Sequence, residues 1–167
     1  GLTNSPALTL DVRASDIDLR NLVLTGADRG LLLESNRNVT VDGAFVVGGN
    51  TGIEVDGAQG TAILRSALWK NTVGIQLAGT RTSVLENLTF ALPGQAGIHL
   101  QNTVADVLQN NLFIPQDNAY AYSVGGMTSL LSNAQMDYNL YDFSSDGSGF
   151  HAGATEDLRQ WQLGMNR

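Results

Sequence analysis

Three acids fall at equivalent places in a repeating pattern: Asp11, Glu34 and Asp56. Side chains stacked at strand spacing lie about 5 Å apart, where like charges repel unless water or a cation separates them. An all-oxygen ligand set suits Ca²⁺, so Asp11, Glu34 and Asp56 are the candidate metal ligands. The plainer alternative is a solvated polar face. Glu54, Gln76, His99 and Gln101 fall on the same strip. Carboxylate, amide and imidazole together can bind the hydroxyl groups of a sugar, which marks these four as candidate polysaccharide contacts. The available cations are Arg13, Arg20, Arg29, Arg37, Arg65, Lys70 and Arg81. No spacing sets one of them against the acids as a base, so no catalytic residue is assigned.

The elements that carry these residues repeat. Near-identical hexads begin at Gly30 (GLLLES), Gly52 (GIEVDG), Gly74 (GIQLAG) and Gly97 (GIHLQN), spaced by 22 or 23 residues. Aligned with Ala7, they give one aliphatic column of Leu8, Leu31, Ile53, Ile75 and Ile98. A second holds Leu10, Leu33, Val55, Leu77 and Leu100. Polar residues alternate with them, the period of a strand with one buried face. About ten residues on comes a second block centred on Asn21, Gly43, Ser66, Asn87, Asn110 and Asn133, with Leu19, Val41, Leu64, Leu85, Leu108 and Leu131 two residues earlier. Three residues after the centre lie Leu24, Val46, Trp69, Phe90, Phe113 and Met136.

Such a repeat is too short for a strand with a crossover helix, and no helical period appears. Each repeat reads as one coil of short parallel strands, with about six coils stacked at strand spacing. The Asn column is expected to form an inward amide ladder. The glycine column is expected where a side chain would collide or φ must be positive.

Composition narrows the partners. The 167 residues carry a formal net charge of −7 with 15% charged residues, which excludes a basic nucleic-acid-binding face. The 43% apolar content excludes a disordered acidic tail. No stretch approaches the roughly 18 apolar residues of a membrane span. The first residues do not read as a signal peptide, which implies a mature or excised segment. Cysteine is absent, so disulfides and thiol chemistry are excluded.

The G-I-x-L/V motifs at Gly52, Gly74 and Gly97, with the L-x-N corners at Asn21, Asn87, Asn110 and Asn133, resemble the right-handed parallel β-helix of the pectate-lyase-like superfamily. The resemblance covers about residues 7 to 141 and implies architecture more than activity, because this fold hosts lyases, hydrolases, epimerases, adhesins and passive rods. In pectate lyases it implies calcium on such a groove, with Arg or Lys as base. The lyase motifs, the paired aspartates and basic stretch of polygalacturonases and the DPH signature of mannuronan epimerases are absent here. Met136–Phe143 (MDYNLYDF) is similar to the run that closes such helices in secreted bacterial proteins.

The expected fold is therefore all-β: a right-handed single-stranded parallel β-helix over residues 1–143. Residues 144–167 would add a loop (Ser144–Gly149) and a capping helix starting at Thr155, within the same domain. The leading functional reading is a non-catalytic module of a larger secreted or surface protein, most simply bacterial, that binds polysaccharide or a neighbouring module. The runner-up is a lyase, hydrolase or epimerase on acidic polysaccharide. No cofactor beyond Ca²⁺ is suggested. Of the sequons at Asn38 and Asn87, the second is discounted as part of the inward ladder.

Two structural expectations follow. Trp69, Phe90 and Phe113 should stack inside. A ridge of Val23, Phe45, Leu68, Thr89, Leu112 and Gln135 should face outward; either a bend at the corner tucks part of it inward, or the C-terminal tail covers its later coils and an upstream parent segment or a second copy its earlier ones.

Overall fold

The computed structural model describes residues 9–104, 106–116, 119–125 and 135–142, together with the backbone of 148–151 and 155–156. Each coil contributes one strand to each of three parallel sheets. The first sheet contains Leu10–Val12, Arg29–Glu34, Thr51–Asp56, Val73–Ala78, Ala96–Gln101, Tyr120–Gly125 and Ser148–His151. Thr155–Glu156 closes it as an antiparallel strand. The second runs Ile17–Arg20, Val39–Asp42, Ala62–Leu64, Val84–Glu86, Val107–Gln109 and Gln135–Asp137. The third runs Val23–Thr25, Phe45–Val47, Ala67–Trp69, Thr89–Ala91, Leu112–Ile114 and Leu140–Tyr141. Six complete rungs, hence five turns from first to last, with a seventh parallel strand in the first sheet, make the expected parallel β-solenoid.

The core is one column per inward position. Leu31, Ile53, Ile75 and Ile98 are fully buried in the first sheet, and Val41, Ile63, Leu85 and Leu108 in the second. In the third, Val46, Leu68, Phe90 and Phe113 fill the middle. The Phe90 and Phe113 rings stack with centroids 4.8 Å apart and planes 7° from parallel, and Tyr141 continues the stack 5.3 Å beyond Phe113.

The glycine of each hexad is explained by these third-sheet side chains. Gly30, Gly52, Gly74 and Gly97 have no left-handed φ. They are bare because the rod is closed over them. A Cβ on Gly74 would lie 2.6 Å from Phe90 Cδ1 and 2.5 Å from the carbonyl oxygen of Gly97. A Cβ on Gly97 would meet Phe113 at 2.8 Å, one on Gly52 would meet Leu68 at 2.9 Å, and one on Gly30 would meet Val46 at 2.6 Å.

The corner between the second and third sheets corrects the alignment. Its column is Asn21, Gly43, Arg65, Asn87, Asn110 and Tyr138, all with φ between 46° and 70°. The asparagines are exposed. They form no inward ladder. They are chosen because asparagine tolerates the left-handed conformation that lets the chain turn. Each backbone N–H still bonds the next rung, as from Asn21 to the Asp42 carbonyl at 2.9 Å and from Gly43 to Leu64 at 3.0 Å. The inward polar groups sit one residue later. Ser66 Oγ accepts from the Ala44 N–H, and Asn111 Oδ1 accepts from the Leu88 N–H, both at 3.0 Å. Asn139 Oδ1 accepts from the Asn111 N–H at 2.9 Å. Asn133 and Leu131 lie outside the described residues.

In the third coil the corner is Arg65, not Ser66, so the second- and third-sheet strands of that coil move by one position while the following hexad keeps its place. Ile63 replaces Leu64 inside, and Leu68 replaces Trp69. Trp69 faces solvent. The expected first-sheet alignment also slips in the first coil, where Leu10 and Val12 pair with Leu31 and Leu33. Thr155 and Glu156, expected as a helix start, are in a strand, as are Ser148 and Gly149 of the expected loop. The remainder of the expected cap lies outside the described residues.

The glycine column gives a direct test. Gly74→Ala forces overpacking against backbone and a buried ring, and should cost about 1–3 kcal/mol in urea unfolding. Gly94→Ala, whose Cβ would meet Thr72 at an ordinary 3.4 Å, should change stability by about 0.5 kcal/mol or less. Similar losses at both sites would show that the stack above Gly74 is not tight.

Candidate functional site

Outward residues of the first sheet form two columns. The first is Asp11, Leu32, Glu54, Gln76, His99 and Ser123. The second is Glu34, Asp56, Ala78, Gln101 and Gly125. The expected sugar contacts Glu54, Gln76 and His99 therefore do align, and Gln101 stands one column over. Of the expected metal ligands, Glu34 and Asp56 are neighbours. Asp11 is not in their column, because the first coil pairs it with Leu32.

Cations also reach the strip. The Arg13 guanidinium lies 3.1 Å from both Asp11 and Glu34, and Arg29 Nε lies 2.9 Å from Glu54. Pairs this exposed contribute little to stability, but they neutralise the acids. The signal for Arg13 was legible, since residues two apart on a strand share a face. His99 Nδ1 lies 3.2 Å from Ser123 Oγ, and its ring occupies the space that Gly125 leaves bare. Among the described residues, no three His, Cys, Asp or Glu side chains converge to hold a metal ion.

The third sheet presents the other distinctive surface. Its outward columns are Val23, Phe45, Ala67, Thr89, Leu112 and Leu140, then Thr25, Val47, Trp69, Ala91 and Ile114. Only two threonines interrupt the apolar run. Val23 is 69% exposed, Phe45 39%, Trp69 41% and Leu140 66%. The Phe45 and Trp69 rings lie 6.5 Å apart, and Lys70 Nζ stands 5.1 Å over the Trp69 ring. The ridge expected from sequence is thus present with two replacements. Ala67 stands for Leu68, which is core, and Leu140 stands for Gln135. Trp69, assigned to the core from sequence, is its largest exposed side chain. Keeping the 22-residue spacing from Gly43 to Arg65 would have found it.

One interior group is out of the ordinary. Asp106 is buried at the corner between the first and second sheets, where its carboxylate accepts the Ser83 N–H at 3.0 Å. Burial pushes its pKa up, against the lowering effect of hydrogen bonds from Thr103 and Ser83. The sequon asparagine Asn87 is exposed rather than inward.

Residues 3–142 match the family model described as periplasmic copper-binding protein (NosD). The chain belongs to the NosD family. No curated protein matches it. The family is periplasmic, in agreement with the bacterial secreted or surface location expected from the sequence.

Asp106 yields a prediction with a definite sign. A raised folded-state pKa means that folding takes up a proton between the ordinary carboxylate pKa and the raised one, so stability falls as pH rises through that window. Asp106→Asn keeps an acceptor for the Ser83 N–H and cannot ionise. It should melt above wild type at pH 7, with the advantage shrinking as pH approaches about 4. An advantage that is independent of pH would remove burial of charge as its cause.

Proposed function

We propose that this NosD-family chain is a non-catalytic module that docks a neighbouring protein module through the outer face of its third sheet. The observation that supports this reading is the apolar run from Val23 to Leu140, with Phe45 and Trp69 at its centre. Isolated surface apolar residues are ordinary, but a contiguous strip with an exposed tryptophan is the composition of a recognition surface. Among the described side chains of the first sheet, none is set up as an acid–base pair. Asp11 and Glu34 are met by Arg13, and Glu54 by Arg29.

A second reading, binding of a polysaccharide by the first sheet, draws support from the register that aligns Glu54, Gln76 and His99 on successive rungs. With Glu34 beside Asp56, a bound calcium remains part of that reading. A glycan array with and without calcium separates the two surfaces.

The family description also names copper. Copper favours thiolate, thioether and imidazole donors. The chain has no cysteine, two histidines and three methionines. Among the described side chains the donors do not converge. His99 faces outward on the first sheet, whereas Met136 is on the second and packs against the core. The described residues therefore do not fit a copper centre.

The docking surface is tested by a photo-crosslinking residue placed at Phe45 or, as a control, at Gln76, in cells that export the protein. Position 45 should give a discrete protein adduct and position 76 should not. Adducts from position 76 alone would move recognition to the first sheet and retire the third-sheet reading.

A further inference from the structure

The dimensions and border of the third sheet specify its occupant more closely. This step rests on the third-sheet reading above. Five rung-to-rung steps make the apolar strip about 24 Å long, and two outward residues per strand make it about 7–10 Å wide. A dimer of ordinary stability takes about 800 Å² of accessible surface from each partner, so two such strips laid together would have to extend onto the polar columns beside them. The area therefore argues against a second copy laid face to face. It matches a single α-helix of about 16 residues, which is about 24 Å long and about 10 Å across.

On its second-sheet side the strip is bordered by acids unpaired among the described residues, while Lys70 stands over Trp69 from the opposite edge. The last outward column of the second sheet runs Arg20, Asp42, Leu64, Glu86, Gln109 and Asp137. It borders the Val23–Leu140 column across a corner that is a single left-handed residue followed by an inward one. Asp42 is held by Arg65, and Arg20 by Asp18. Glu86 and Asp137 have no ion-pair partner among the described residues. They stand two rungs apart, about 9.6 Å. Residues seven apart on one side of a helix are separated by about 10.5 Å. Two cations at that spacing would meet Glu86 and Asp137 while the adjoining apolar stripe covered Leu112, Ala91, Trp69 and Phe45. The net charge of −7 draws a basic segment toward the whole molecule and repels an acidic one.

We infer that the third-sheet face binds one amphipathic α-helix of a partner protein, its apolar stripe on Phe45, Trp69 and Leu112 and its basic edge, with cations seven residues apart, on Glu86 and Asp137.

The test uses the whole chain and labelled 18-residue probe helices read by fluorescence anisotropy. One probe carries a leucine stripe with lysines along one edge at seven-residue spacing. A second has glutamate in place of those lysines, and a third has the first probe's composition scrambled. The lysine-edged helix should bind at least tenfold more tightly than either control. Phe45→Ser/Trp69→Ser should weaken it at least tenfold, and so should Glu86→Lys/Asp137→Lys. All variants should keep wild-type circular dichroism, because the substituted side chains lie on the outer face. Added salt should weaken binding to wild type and leave the residual binding of the Glu86→Lys/Asp137→Lys chain little changed.

Equal affinity for the glutamate-edged or scrambled probe overturns the inference, as does wild-type affinity in either double variant. Sedimentation showing a wild-type dimer that Phe45→Ser/Trp69→Ser dissociates would overturn it in favour of a second copy. If the probes fail while position 45 still crosslinks to a protein in cells, the face docks a partner of another shape. If both fail, the third-sheet reading itself falls.

Discussion

Everything in this rod depends on how close the third sheet can come to the first. The inward side chains Val46, Leu68, Phe90 and Phe113 lie directly over Gly30, Gly52, Gly74 and Gly97. No room remains there for a Cβ. That contact repeats once per coil, so it fixes the cross-section at each rung, and the parallel pairing carries the same geometry to the next. The result is a core made of columns, in which Ile stacks on Ile and Phe on Phe. Dispersion and burial are then gained between equivalent atoms along the whole length.

The same constraint decides what is left outside. With one strand residue in the third sheet turned onto the glycine, its two neighbours must point away. A single left-handed residue at the preceding corner sets which ones they are. In the third coil that residue is Arg65, so Leu68 is inward and Trp69 is turned to solvent. The exposed apolar face is therefore a consequence of the corner register as much as of composition. The outer surface of the first sheet follows the opposite pattern. Its acids and amides sit in line, and Arg13 and Arg29 fold back over them.

Much of this was legible in the residues alone. The hexads announced the solenoid, the aliphatic columns named Leu31, Ile53, Ile75 and Ile98 as core, and the bulky apolar column named Phe90 and Phe113. What failed was local phase. Gly43, Arg65 and Asn87 serve one purpose at the corner, because what is selected is a backbone conformation and not a side chain. A reading that followed asparagine and small polar residues chose Ser66, one position late, and so buried Trp69 in place of Leu68. The same error made exposed asparagines look like an inward ladder. In the first coil, the hexad glycine is missing, so Asp11 was aligned with Glu34 when it sits beside Leu32. Arg13 could be placed beside Asp11, but its contact with Glu34 and that of Arg29 with Glu54 become defined only once neighbouring coils are in register.

The central claim is that Phe45 and Trp69 form a covered surface in the working protein. Hydroxyl-radical footprinting tests it most directly, with oxidation of the two side chains compared between the purified chain and the periplasm of intact cells. The structure leads us to expect both to be oxidised readily in isolation and protected in the cell, while Val104, equally exposed at the corner between the first and second sheets, reacts alike in both settings. Equal oxidation of Phe45 and Trp69 in the two settings would contradict the claim.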